Sequence, residues 1–126
     1  MKRSLVMIED DEQIRHLVGL FLKRKSWDFH GAATGAEGLE KTSSLRPDII
    51  LLDVQLPDAE GWDICRQLKG NPSLNETPVI MISGRRTSPD DKAQGLEAGA
   101  DDFLSKPFNL TELFLRMETI LKARGK

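Results

Sequence analysis

The apolar residues of this chain change their period along its length. Ser4-Leu-Val-Met-Ile8 is a short continuous apolar run, the pattern of a strand covered on both faces. Ile14, Leu17, Val18, Phe21 and Leu22 then recur at helical spacing and predict a helix over roughly 11–25. Residues 28–32 form a weaker second strand. Thr34-Gly-Ala-Glu37 has the form of a helix start, with Thr34 as N-cap and Glu37 three residues on. That helix ends before Arg46-Pro47, and Asp48-Ile-Ile-Leu-Leu-Asp53 is the clearest strand of all.

The later half repeats the alternation. Residues 60–69 read as a helix ended by Gly70-Asn71-Pro72, and 78–83 as a strand. A helix over roughly 90–98 is stopped by Gly99 and followed by a short strand, 101–105. Leu110, Leu113, Phe114, Met117, Ile120 and Leu121 make an amphipathic last helix. Five strand–helix units imply an α/β fold with a doubly wound, five-stranded parallel sheet and five helices. In the flavodoxin-like strand order 2-1-3-4-5, the order reverses between strands 1 and 3. Ligands of such sheets bind beyond the carboxyl ends of the strands at that reversal.

The strand ends carry the polar chemistry. The first apolar run leads into Glu9, Asp10 and Asp11, and the third closes on Asp53. The fourth ends at Ser83, and the fifth leads into Lys106. An acid at the end of a buried strand is costly unless it is paired or used. Fold geometry therefore brings the carboxylates, a hydroxyl and an ammonium into one site. Clustered carboxylates repel, and a cation keeps them ionised; hard oxygen ligands favour Mg²⁺. A carboxylate beside Mg²⁺, a lysine and a hydroxyl is suited to receive a phosphoryl group.

Composition narrows the function. The 126 residues fit one domain, spanning 1–126. A single cysteine, Cys65, excludes an internal disulfide and fits a reducing, cytoplasmic compartment. No apolar run is long enough for a membrane span. The net charge of −2 gives no general attraction to nucleic acid, and Arg85-Arg86 is too short to be a basic patch.

Several residues read more plainly. Asp11 is expected as the N-cap of the first helix rather than a ligand. Cys65 is expected as a small buried hydrophobe. His16 and His30 lack partners at metal-ligand spacing. Trp27 and Trp62 are expected to pack, and Trp62, which follows the turn after Asp53, is also placed to sense the site.

Taken together, Ile8-Glu-Asp-Asp11, Asp53-Val-Gln-Leu-Pro57 with Gly61, Ile82-Ser83-Gly84, and Gly99-Ala-Asp-Asp-Phe-Leu-Ser-Lys-Pro-Phe108 resemble the receiver domain of a two-component response regulator, of the CheY-like superfamily. The resemblance covers nearly the whole chain. It implies that Asp53 is the phosphoacceptor, phosphorylated by a histidine kinase or histidine phosphotransfer protein in a Mg²⁺-dependent step. Asp10 and Asp53 would bind the metal through side chains, Gln55 through its backbone carbonyl and Glu9 through a water. Lys106 would contact a phosphoryl oxygen, with a cis bond to Pro107. Ser83 and Phe103 fill the two switch positions. Such a domain switches without turning over a substrate, although it promotes its own phosphorylation and dephosphorylation. It contacts neither membrane nor nucleic acid directly. The chain is either a stand-alone regulator or the front of a longer one.

The departures from the family pattern are small. Ser83 lacks the methyl of the commoner Thr, and Gly84 stands where Ala is common. The segment from Ser83 to Gly99 is one residue longer than usual. Phe103 replaces the frequent Tyr, so any ring rotation is driven by packing. Gln55 and Arg85, two residues past Asp53 and Ser83, are expected to border the path of water to a phosphoryl group.

Lys92, Leu96, Asp101, Asp102, Glu112 and Arg116 are expected to share a face made by the fourth helix, fifth strand and fifth helix. One reading is a solvated charged face. The other, from a resemblance to OmpR/PhoB-like regulators, is a phosphorylation-dependent two-fold dimer face. There Lys92 would meet Glu112, and Asp102 would meet Arg116, across the axis.

Three other functions fit less well. An aspartyl-phosphate phosphatase of the haloacid dehalogenase kind needs an acid two residues after its nucleophile, where Gln55 stands. A receiver-like interaction domain working without phosphorylation would not need Asp10, Asp53, Ser83 and Lys106 together. A flavin binder would need a phosphate-cradling loop where the first acids stand.

Overall fold

The computed structural model describes residues 2–84 and 89–126, with Asp91 described through its backbone only. Five strands form one parallel sheet: β1 (Ser4–Ile8), β2 (Asp28–Ala32), β3 (Ile49–Asp53), β4 (Val79–Ser83) and β5 (Asp102–Ser105). Their order is β2-β1-β3-β4-β5, as the sequence pattern implies. Between and after them run α1 (Glu12–Arg24), α2 (Gly35–Leu45), α3 (Gly61–Lys69), α4 (Pro89–Glu97) and α5 (Leu110–Ala123).

Side-chain alternation along the strands builds two apolar layers. In β1, Val6 and Ile8 join Ile64, Leu68 and Ala98, on the face covered by α2, α3 and α4. Leu5 and Met7 join Val18, Leu22, Leu113 and Met117, on the face covered by α1 and α5. The central strands are fully buried, which explains their unbroken apolar runs.

The caps expected from sequence are present. Asp11 Oδ1 accepts the amides of Gln13 and Ile14 at 2.9 and 3.1 Å. Thr34 Oγ1 accepts the Glu37 amide at 3.1 Å, while Glu37 reaches one residue further back than a reciprocal box requires, to the Ala33 amide at 2.7 Å. Gly99 takes φ +99° and ends α4, with the Ala100 amide bonded back to the Gly95 carbonyl.

Element ends shift by one residue where side chains take over. Asp48 lies outside β3, its Oδ2 accepting the Ser4 amide at 2.8 Å. Asp101 lies outside β5 because its carboxylate accepts the Val79 amide at 2.8 Å. Helix α4 opens one residue earlier, on Pro89, at a position where the missing amide proton is not needed.

Candidate functional site

Strand register sets the site. Ile8 of β1 pairs with Leu52 of β3, so Glu9 and Asp53 emerge side by side at the carboxyl edge. Asp53 pairs with Ile82, and Ser83 with Ser105, which puts Ser83 and Lys106 at the same edge. The Lys106 amide donates to the Ser83 carbonyl at 2.7 Å, and the Lys106–Pro107 bond is cis.

The side chains converge. Glu9, Asp10 and Asp53 each bring a carboxylate oxygen into one group whose atoms lie within 4.8 Å of one another. Lys106 Nζ lies 3.3 Å from Asp53 Oδ2 and forms an ion pair with Glu9 Oε1. That glutamate oxygen is buried and makes no hydrogen bond of ordinary geometry, so the ion pair is its only compensation among the described residues. Asp53 Oδ1 accepts the Gln55 amide at 3.3 Å, and Glu9 Oε2 accepts the Asp11 amide at 3.2 Å. Glu9 is 1% exposed, Asp53 6% and Ser83 4%, whereas Asp10 is open to solvent.

Charge at the site is unbalanced. Burial, then the adjacent Asp53 carboxylate, raise the Glu9 carboxyl above its ordinary pKa. The neighbouring Glu9, then burial, raise Asp10. Burial draws the Lys106 ammonium down, but its contacts with Glu9 and Asp53 outweigh that and leave it raised. Three carboxylates thus stand against one ammonium. A hard dication with oxygen ligands fits this surplus of negative charge, and the donor set suits Mg²⁺.

Two glycines border the site. A β-carbon on Gly61 would overlap the Asp53 carbonyl oxygen, so only glycine lets α3 start against the end of β3. A β-carbon on Gly84 would lie 3.2 Å from Lys106 Cδ, so glycine leaves the lysine stem room.

A family model for the response regulator receiver domain matches residues 5–118. The chain belongs to the response regulator receiver domain family. It is 35% identical over 122 residues to the alkaline phosphatase synthesis transcriptional regulatory protein PhoP of Bacillus subtilis, a match that covers 97% of this chain and 50% of that protein. It is 36% identical over 119 residues to the response regulator ArlR of Staphylococcus saprophyticus, covering 94% of this chain and 52% of that one. The receiver domain thus spans about half the length of the curated relatives it matches. Among solved structures, the CheY-like receiver domain protein of Methanospirillum hungatei superposes with a TM-score of 0.92 at 26% identity, covering 99% of this chain and 98% of that one. The receiver domain of Francisella response regulator 1452 does so with 0.88 at 30% identity, covering 99% and 100%.

The remaining expected residues of this receiver domain are spread around the site. Gln55 is exposed at the start of the loop after β3 and bridges to Glu60. Phe103 is partly buried against the α3–α4 side of the core; a β-carbon on Gly95 of α4 would lie 3.2 Å from its ring. Arg85 lies outside the described residues.

On the α4–β5–α5 face, Lys92 and Leu96 are exposed one turn apart on α4, with Leu96 at 65%. Arg116 Nη1 holds both oxygens of Asp102 at 2.9 and 3.0 Å, and Nη2 lies 3.5 Å from Glu112. The Asp102–Arg116 pair is therefore already made within one chain. Asp101 departs from the expected face. Its carboxylate pairs with Lys69 of α3 at 3.1 Å and with Arg124 at 2.6 Å, because consecutive residues on an extended chain point to opposite sides.

The plainer readings also resolve. Cys65 is buried, and burial pushes its thiol up to about 11; Sγ donates to the Ala98 carbonyl at 3.4 Å. Trp27 packs edge-on to Phe114 at 6.2 Å. His16 is exposed and His30 half-buried. No helix among the described residues is long and apolar enough to cross a membrane.

Two residues of the site's frame carry no local sequence signal. Asp58 accepts the Gly35 and Ala36 amides at 2.7 and 3.0 Å, tying the loop after β3 to the start of α2. Arg15 Nη1 donates to the Glu9 carbonyl at 2.7 Å.

Proposed function

We propose that residues 1–126 form one receiver domain that takes a phosphoryl group on Asp53 from a histidine kinase or a histidine phosphotransfer protein. The observation that carries this reading is the meeting of Asp53 with Glu9, Asp10 and Lys106 at one sheet edge. In this reading Asp10 and Asp53 hold Mg²⁺ by side chains, Gln55 by its backbone carbonyl, and Glu9 through a water. Bound there, Mg²⁺ supplies positive charge to offset that of the phosphoryl oxygens.

An Asp53 carboxylate oxygen attacks phosphorus in line as the phosphorus–nitrogen bond of the donor breaks. Lys106, held beside Asp53, stabilises a phosphoryl oxygen. Ser83 donates its hydroxyl to another once the group is in place. The chain acts as a switch in the cytoplasm rather than as an enzyme with a separate substrate. Family membership and a lone buried thiol support that reading.

The domain also forms a phosphorylation-dependent homodimer through Lys92, Leu96, Asp102, Glu112 and Arg116. Glu112→Lys sets like charges against Lys92 of the second copy and abolishes that dimer by light scattering. Persistence of the dimer in Glu112→Lys assigns the interface to another face. No part of this reading calls for direct contact with nucleic acid or membrane.

The test of the main reading is intact-mass measurement after incubation with acetyl phosphate and Mg²⁺. One phosphoryl mass is added to the wild type and none to Asp53→Asn or to chelated protein. Full labelling of Asp53→Asn refutes it.

A further inference from the structure

Two of the three acids that follow β1, Glu9 and Asp10, flank a single peptide unit. Its neighbours on the strand side are fixed, because the Glu9 amide donates to the Ala32 carbonyl of β2 at 2.9 Å. Its other end is fixed by Arg15, whose Nη1 donates to the Glu9 carbonyl at 2.7 Å. Arg15 is itself anchored in the first turns of α1, where its amide bonds to the Asp11 carbonyl at 3.1 Å. The guanidinium reaches the strand end by lying across Gly31 of β2. A β-carbon on Gly31 would stand 3.1 Å from Arg15 Cδ and 3.5 Å from Nε. The glycine on the neighbouring strand therefore opens the trough in which the arginine runs.

We propose that Arg15 is a positioning residue for divalent-cation binding, acting through the Glu9–Asp10 peptide, with Gly31 as the gap that admits it. The proposal rests on the reading of Glu9, Asp10 and Asp53 as the metal site. Arg15 touches the carbonyl between the two acids rather than a carboxylate oxygen of either.

Two effects of Arg15 oppose each other. Its positive charge repels a dication, so Coulomb interaction alone makes its removal tighten binding. Its hydrogen bond aims Glu9 and Asp10, so loss of that bond loosens binding. Arg15 is half-buried, and water screens its charge. Loss of an outer hydrogen bond that orients ligands costs about tenfold or more in metal affinity. Positioning therefore wins, and the sign of the change separates the two roles.

The experiment is calorimetric titration of the full chain with Mg²⁺, for wild type, Arg15→Ala, Arg15→Lys and Gly31→Ala. Urea unfolding of each protein in chelator runs alongside. Arg15→Ala raises the Mg²⁺ Kd about tenfold. Arg15→Lys, which can still donate, recovers most of the affinity. Gly31→Ala weakens Mg²⁺ in the same direction, although it changes no charge. If Arg15→Ala proves unstable, Arg15→Lys and Gly31→Ala decide alone. Equal or tighter Mg²⁺ binding in Arg15→Ala, or wild-type affinity in Gly31→Ala, overturns the role of Arg15 and leaves the metal site standing. Absence of Mg²⁺ binding in the wild type overturns the metal site, and this inference with it.

Discussion

Lys106 Nζ stands 3.3 Å from Asp53 Oδ2 while also pairing with Glu9 Oε1. One ammonium thereby ties the end of β5 to the ends of β3 and β1. Without it, two buried carboxylates face each other with no protein cation between them. Lys106→Met destabilises the metal-free protein by roughly 2 kcal/mol, less than the ~3–5 kcal/mol of a wholly buried pair. The discount reflects an ammonium that is 17% exposed. Urea unfolding in chelator measures it, and unchanged stability contradicts the pairing.

The same surplus of acid gives Glu9 the opposite sign. Its carboxyl is raised above 4.5 by burial first and Asp53 second, so the folded state binds its proton more tightly than the unfolded chain does. The stability from that proton is complete below about pH 4.5 and is lost as pH rises through the folded value. Glu9→Gln mimics the protonated form. In chelator at pH 7 it raises the melting temperature by a few degrees, and below the ordinary glutamate pKa it changes nothing. A lower melting temperature at pH 7 contradicts this account of the cluster.

Gly61 permits no side chain, since a β-carbon there would overlap the backbone of Asp53. Gly61→Ala must displace either the end of β3 or the start of α3. The expected cost is about 2–3 kcal/mol in urea unfolding, with slower phosphorylation by acetyl phosphate. Wild-type behaviour in both assays shows that the junction is looser than described.

Ser83 and Phe103 lie on neighbouring strands, with Phe103 against Gly95 of α4. If the Ser83 hydroxyl moves to the phosphoryl group, it vacates space for that ring, and α4 feels the change. Only differential contact with the two states shifts such an equilibrium. Ser83→Ala therefore still accepts phosphate, but hydrogen exchange in α4 responds weakly. A response as large as in the wild type removes Ser83 from the switch.

Much of this was readable in the chain. The apolar runs gave β1, β3 and β4 because these central strands are covered on both faces, whereas the partly exposed edge strands β2 and β5 left weaker patterns; local caps such as Asp11 and Thr34 bond within three residues. The site was readable because its side chains all follow strand ends. Asp58 and Arg15 were not. The first caps a helix starting 23 residues earlier, and the second serves a carbonyl six residues back, so neither leaves a periodic trace. Asp101 was misplaced because the same Asp-Asp pair sends one carboxylate to Arg116 and the other to Lys69 and Arg124.

Phosphorylation at Asp53 has one direct chemical signature. Borohydride reduction of the phosphorylated chain converts an acyl phosphate on aspartate to homoserine, and peptide mass spectrometry locates it. The expected product is homoserine at position 53, dependent on Mg²⁺, with Glu9 and Asp10 unmodified. Homoserine at another aspartate, with position 53 intact, would contradict it.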